Sequence, residues 1–151
     1  MLSLSWHPNH PSLVGVTISS GEVYLCNIAS TSEHEPIELL KHDLEAWTLC
    51  FSPDGESVFS GGDDAALRFS SNILAEEAGA QWTDRRIHGA GVTAILPLAG
   101  EENVTVTGSY DDHVRIVRTP QMGRREVLAE ENLGGGVWRL KMLREEHDLR
   151  R

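Results

Sequence analysis

The stretch Ser57-Val58-Phe59-Ser60-Gly61-Gly62-Asp63-Asp64-Ala65-Ala66-Leu67-Arg68-Phe69-Ser70 decides how this chain is read. Two short runs of apolar and hydroxyl side chains flank a corner of glycine and aspartate. That is the pattern of two antiparallel strands joined by a tight acidic turn. The pattern returns in Val104-Thr105-Val106-Thr107-Gly108-Ser109-Tyr110-Asp111-Asp112-His113-Val114-Arg115, and the glycines before the two corners, Gly61 and Gly108, lie 47 residues apart. Working outward, Leu4, Leu49 and Ala94 hold one place in three successive copies, each 45 residues after the last. The copies cover 2–28, 48–71 and 93–119, and a fourth begins at Trp138-Arg139-Leu140-Lys141-Met142. Several short strands per unit at this period are the mark of a propeller blade, in which each unit buries its faces only by stacking on neighbours.

Strands are expected at 12–19, 22–27, 48–52, 57–60, 66–70, 92–96, 104–107 and 114–118, with outer strands at 37–41, 81–86 and 126–129. The segment 74–80 is read as loop. The chain is therefore all-β. Blades are expected at about 2–41, 48–87 and 93–130, with the fourth starting at 138, a propeller region over 1–143 and a charged tail at 144–151.

Charge narrows the function classes. In 151 residues, 23 Asp and Glu face 13 Lys and Arg, a net charge of −10. Such a surface is opposite to what a phosphate-backbone binder needs, so no nucleic-acid partner is expected. With 40% hydrophobic and 24% charged residues the composition is globular. No apolar run nears the roughly 20 residues of a membrane span, and the N-terminal residues lack a secretory pattern. Cys26 and Cys50 lie in strand-like runs, where free thiols of a reducing compartment are expected. The expectation is a cytoplasmic protein without membrane contact.

Two further segments sharpen the reading. Phe51-Ser52-Pro53-Asp54-Gly55 and Ser60-Gly61-Gly62-Asp63-Asp64 resemble the first turn and the acidic second turn of the WD-repeat β-propeller family. His42 and His88 precede the second and third blades, where that family carries a histidine. The resemblance implies a network from each histidine to a turn aspartate and a strand hydroxyl: His42, Asp64 and Ser60, then His88, Asp111 and Thr107. The tryptophan that would end the network is replaced by Cys26, Ser70 and Val117. About three blades plus the start of a fourth fit the chain, an incomplete ring, since even about four blades of roughly 45 residues need about 180. Open blade faces then predict poor solubility, dimerisation or partial unfolding of the polypeptide alone.

Three phrases narrow the resemblance: His42-Asp43-Leu44-Glu45-Ala46-Trp47, Thr107-Gly108-Ser109-Tyr110-Asp111-Asp112-His113 and Gly134-Gly135-Gly136-Val137-Trp138-Arg139-Leu140. In this order they are similar to the WD-repeat methylhydrolases of methylated diphthine. That resemblance implies hydrolysis of a methyl ester on a modified histidine of elongation factor 2, a step of diphthamide biosynthesis, with elongation factor 2 as partner. The alternative is a non-catalytic WD-repeat scaffold that binds proteins through its loops.

Neither a Gly-x-Ser-x-Gly elbow nor a zinc-hydrolase pattern is present in the sequence, so no cofactor or metal is expected and a water activated by a histidine or carboxylate is the plausible nucleophile. The loops before first strands and the second turns of a propeller gather at one end. Asp112 and His113 are the catalytic candidates there, and Glu45, Trp47, Asp63, Tyr110 and Trp138 are the substrate-binding candidates. The substrate that the resemblance implies carries a trimethylammonium group, which aromatic faces and nearby carboxylates hold well. His42, His88, Asp64 and Asp111 are read as blade-holding residues. Trp47 and Trp138, next to first strands, serve equally well as packing residues.

Overall fold

A computed structural model describes residues 2–29, 35–77, 79–101 and 103–143. The charged tail at 144–151, with His147, and the loop residue His34 fall outside the described residues. Among the described residues twelve strands follow one another: β1 Ser3–Trp6, β2 Leu13–Thr17, β3 Glu22–Asn27, β4 Ile37–Lys41, β5 Ala46–Phe51, β6 Ser57–Gly62, β7 Leu67–Ser71, β8 Gln81–Asp84, β9 Val92–Pro97, β10 Val104–Ser109, β11 His113–Arg118 and β12 Glu126–Asn132. They form three four-stranded antiparallel meanders, β1–β4, β5–β8 and β9–β12, with consecutive strands adjacent in each. Every meander is one blade. The three described blades stack side by side as an open arc, and no helix occurs among the described residues.

Packing between blades follows from which faces the alternation makes apolar. Leu13, Val23, Leu25, Leu39, Leu40, Ala46, Leu49, Phe51, Val58 and Ile73 pack as one cluster between the first and second blades. Phe59, Leu67, Phe69, Val92 and Ile95, with Cys50, Trp82 and Ile87 against them, form a second cluster between the second and third. Each fully buried aliphatic or aromatic side chain contributes about 1.5–3 kcal/mol, so these interfaces dominate the stability of the arc. The middle blade is covered on both sides, and every residue of β6 is buried. At the other extreme all seven residues of β12 are exposed.

Close approach at the interfaces requires glycine. A Cβ at Gly61 would stand 2.6 Å from the Val92 side chain, and one at Gly108 would stand 2.6 Å from that of Val137. The two contacts are the same contact one blade apart. Val137 is buried, its N–H donates to the Ser109 carbonyl at 3.1 Å, and its own carbonyl accepts from the Thr93 hydroxyl. Residue 137 therefore sits against the third blade as Val92 sits against the second.

Three expectations change. The strand β1 was not expected, because its four residues run straight into His7-Pro8-Asn9-His10-Pro11. The first strand of a fourth blade, expected from Trp138, is not formed: 138–143 carries no strand. Its leading residue is seated, but no described segment offers it a ladder partner. The strand β5 begins at Ala46 rather than Thr48, with its register shifted between those residues. Trp47 lies at that bulge. Both cysteines are free, and burial pushes the Cys50 thiol up to about 12.

Candidate functional site

The site is built from equivalent positions of successive blades. In β5 the register shift falls at Trp47; in the β9–β10 pairing it falls at Thr93, between Val92 and Ala94. A bulge turns a side chain out of the ladder. In the second blade the re-aimed residue is a tryptophan, and in the third it is the threonine that anchors Val137 and so places Trp138 beside it. The turn residues match likewise. Asp63 donates its N–H to the Glu45 carbonyl at 2.9 Å, and Tyr110 donates its N–H to the Gly91 carbonyl at 2.9 Å.

Together these positions line an open hollow of about 670 Å³, formed by Leu2, Trp47, Asp63, Ala90, Gly91, Tyr110 and Trp138. The Tyr110 and Trp138 rings meet edge-to-face, with centroids 4.8 Å apart. The Trp47 ring lies 5.9 Å from Tyr110 and 6.5 Å from Trp138. Glu45 accepts a hydrogen bond from Trp47 Nε1 at 3.1 Å, which fixes the indole plane. Gly91 is the floor under that ring, since any side chain there would overlap it. A neighbouring hollow of about 500 Å³ shares Leu2, Trp47 and Trp138 and is lined further by Arg139 and Lys141. Of the expected substrate-binding residues, four line the cavity and the fifth, Glu45, orients one of them.

Asp112 and His113 do not line either hollow. Asp112 takes the left-handed conformation at φ 69°, and its carbonyl accepts from the Leu133 N–H at 2.8 Å. His113 donates from Nδ1 to the Asp111 carbonyl at 2.6 Å. With that tautomer, Nε2 faces the Asn132 amide at a long 3.4 Å. The pair closes the corner between β10 and β11 and ties it to the end of β12. Here the structure separates the catalytic candidates from the binding candidates. Gly134 and Gly135 have open space around them, so that loop does not press on the cavity. Among the described residues no group of three or more His, Cys, Asp or Glu gathers as a metal site.

The blade-holding residues behave in two ways. His42 donates from Nδ1 to Asp64 at 2.8 Å and accepts from the Ser60 hydroxyl at 2.9 Å. Burial alone would raise the Asp64 carboxyl, but the His42 hydrogen bond and the Asp43 N–H hold it well below the usual carboxylate range. His88 is hydrogen-bonded to Thr107 at 2.9 Å, yet its Nδ1 has no partner. The expected bond from His88 to Asp111 is not made. Asp111 instead accepts from Arg115 at 2.9 Å and from the Gly89 N–H at 2.7 Å. Burial, followed by the Arg115 charge, lowers His88 to about 4.

Comparison with known proteins meets this geometry at the level of the fold. The WD domain, G-beta repeat model matches residues 35–69. A chain in the crystal structure of the mitotic checkpoint complex superposes with a TM-score of 0.72 at 19% identity, covering 91% of this chain and 39% of that one. The chain belongs to the WD-repeat β-propeller family. Among curated proteins it is 36% identical over 142 residues to the diphthine methyltransferase of Schizosaccharomyces pombe, covering 93% of this chain and 41% of that protein. It is 30% identical over 151 residues to the diphthine methyltransferase of Homo sapiens, covering 93% of this chain and 32% of that one. The chain thus spans between about a third and two fifths of the length of these relatives.

Proposed function

We propose that this WD-repeat chain is part of an esterase of diphthamide biosynthesis that removes the methyl ester from methylated diphthine on elongation factor 2. The convergence of Trp47, Tyr110, Trp138 and Asp63 on one cavity carries the reading, and its support comes from the diphthine methyltransferases the chain resembles over 93% of its length. Water attacks the ester carbonyl, the bond to the methoxy oxygen breaks, and methanol leaves with one proton of that water. The other proton is released as the new carboxylic acid ionises. Asp63 is the carboxylate in the cavity wall that can take the first proton. Asp112 and His113 hold the turn that carries Tyr110.

The test uses elongation factor 2 bearing methylated diphthine and the intact protein, with no methyl-donor cofactor added. Release of methanol and loss of the ester by mass spectrometry is the expected result. An unchanged ester rejects the reading. Asp63→Asn should slow the step by roughly 10²–10⁴-fold, and Asp112→Asn with His113→Gln by less than tenfold. A loss of the first size in the turn variants alone would return the chemistry to the turn.

A second reading, a protein-binding scaffold, draws on Leu44, Tyr110, Leu133 and Trp138, which are exposed. Elongation factor 2 bound but left esterified would favour it.

A further inference from the structure

The aromatic hollow lies at the end of the arc where β6 turns into β7 and β10 into β11. The opposite end of the same two blades, where β5 turns into β6 and β9 into β10, holds an open cleft of about 460 Å³. That volume is in the range of small-ligand sites. Its floor is Phe59 and Phe69, whose ring centroids lie 4.9 Å apart.

The walls of this cleft are rich in acceptors. Asp54 on the second blade and Glu101 on the third are exposed at its rim. The Ser52 hydroxyl and the Glu56 N–H both donate to Asp54 Oδ1, which fixes the carboxylate and holds it below its usual range. Asp54 Oδ2 and the Glu101 carboxylate have no partner among the described residues. Deeper in the lining stands Ser57, only 4% exposed. Its backbone N–H and carbonyl are both engaged by Ser52, but its hydroxyl makes no hydrogen bond among the described residues. Buried Thr105 and Thr119 join hydroxyl to hydroxyl at 2.8 Å and add lone pairs to the same wall. Among the described residues no Lys, Arg or His lines the cleft.

A buried hydroxyl left without a partner is costly. Beside two carboxylates with oxygens to spare, it points to a cation that brings several donors. A guanidinium carries five N–H donors in a flat fork, enough for carboxylates on both blades and the Ser57 hydroxyl together. Its face also suits an aromatic floor. An ammonium has three donors around a point and reaches fewer of these acceptors. Free arginine would bring its own carboxylate to a rim that already holds two and has no cation to receive a third. Within a peptide the main chain is neutral, and that repulsion is absent.

We infer that the cleft between the second and third blades, at the end away from the aromatic hollow, docks an arginine side chain of a partner protein segment, its guanidinium held between Asp54 and Glu101 and against Ser57. The net charge of −10 also favours the approach of a basic segment. This docking site does not depend on the esterase reading, because it shares no residue with the aromatic hollow.

Titration of the intact protein, followed by NMR shifts, separates the parts. The probes are acetyl-arginine amide, acetyl-citrulline amide, which keeps the shape without the charge, acetyl-lysine amide and free arginine. The arginine amide should bind tightest, the citrulline amide about tenfold more weakly, and the lysine amide and free arginine each about fivefold more weakly. Equal binding of the citrulline amide would overturn the charge pairing. Equal binding of the lysine amide would overturn the guanidinium, and equal binding of free arginine the peptide source. No binding of the arginine amide rejects the site.

Variants give a second readout. Glu101→Gln, at an exposed position without a partner, and Asp54→Asn should each weaken the arginine amide by about threefold to tenfold. Ser57→Ala should weaken it by about twofold to fivefold, and Glu101→Gln decides the matter if that buried change unfolds the protein. Glu131→Gln on β12 removes the same charge elsewhere and should leave the affinity unchanged. Equal losses in Glu131→Gln and Glu101→Gln would show that only net charge is read, and would overturn the cleft.

Discussion

The second and third blades carry the same histidine, hydroxyl and aspartate at matching places, and only the second assembles them. In the second, His42 bridges Asp64 and Ser60 with both ring nitrogens used. In the third, His88 keeps Thr107 and loses Asp111 to Arg115. The residue four after each aspartate is an arginine in both blades, Arg68 and Arg115. Arg68 stays 3.6 Å from Asp64 and donates to the Thr83 hydroxyl at 3.2 Å, whereas Arg115 makes a 2.9 Å contact with Asp111. A guanidinium in direct contact outcompetes a neutral imidazole for one carboxylate, because it offers full charge and fixed donors. Matching residues make matching networks only when the nearby charges match too.

The largest test of this contrast removes each histidine. His42→Ala strands the fully buried Ser60 hydroxyl and takes one of several donors from the Asp64 carboxylate, which keeps the Asp43 and Ala66 N–H groups, and should cost about 1–3 kcal/mol in denaturant unfolding. His88→Ala loses one hydrogen bond and should cost roughly half as much. Equal losses would show that the bridge to the aspartate adds nothing.

Acid should separate the blades next. His88 is held at about 4 in the fold against an ordinary 6.5, facing Arg115, Asp111 and Asp84. The unfolded chain takes up that proton first, so the contribution is whole above 6.5 and is lost as pH falls from 6.5 toward 4, by roughly 2–3 kcal/mol. Asp64, lowered in the fold, contributes above its ordinary 3.8 and is lost only below it. Unfolding curves between pH 7 and 4 should therefore flatten in His88→Gln. An unaltered slope would place the acid sensitivity elsewhere.

A smaller effect compares the two glycine seats. Gly61→Ala forces Val92 out of a fully enclosed interface, at about 1–3 kcal/mol. Gly108→Ala meets Val137, whose following residues pair with no strand, and should cost less because that segment can move. Thermal unfolding of the two variants gives the order, and a reversed order would mean that 137–143 is held as firmly as a blade. Smallest in energy, Arg115→Met should free Asp111 for His88 and raise the His88 titration point by NMR; an unmoved titration point would remove Arg115 as the cause.

Much of the fold was legible because blade interfaces impose strict patterns. The strands β3 and β4 have the bounds that alternation and turn residues give, and the interior of β6 and β10 follows from Ser57–Gly62 and Val104–Ser109 alone. A bridge from His42 to Asp64 is what the resemblance to WD repeats implies, and it is formed. Its absence from His88 was not legible, since the side chain that decides it is set by how deeply Arg115 is drawn in. That Trp47, Asp63, Tyr110 and Trp138 lie at one end of the arc was legible from their places at strand ends and turns. The two catalytic candidates shared that end, but hydrogen bonds within the turn commit them there.

The sequence by itself determined the all-β class, the repeat and the acidic character, because the first two rest on short-range periodicity and turn chemistry that a few neighbouring residues enforce and the third on composition alone. Only the tertiary structure decided that Trp47, Tyr110 and Trp138 share one cavity with Asp63, and that Arg139 and Lys141 stand beside it. These residues lie in different blades or beyond the last of them. Their convergence depends on a bulge in β5, on the glycines that let blades approach, and on the angle at which one sheet stacks on the next, none of which a local pattern specifies.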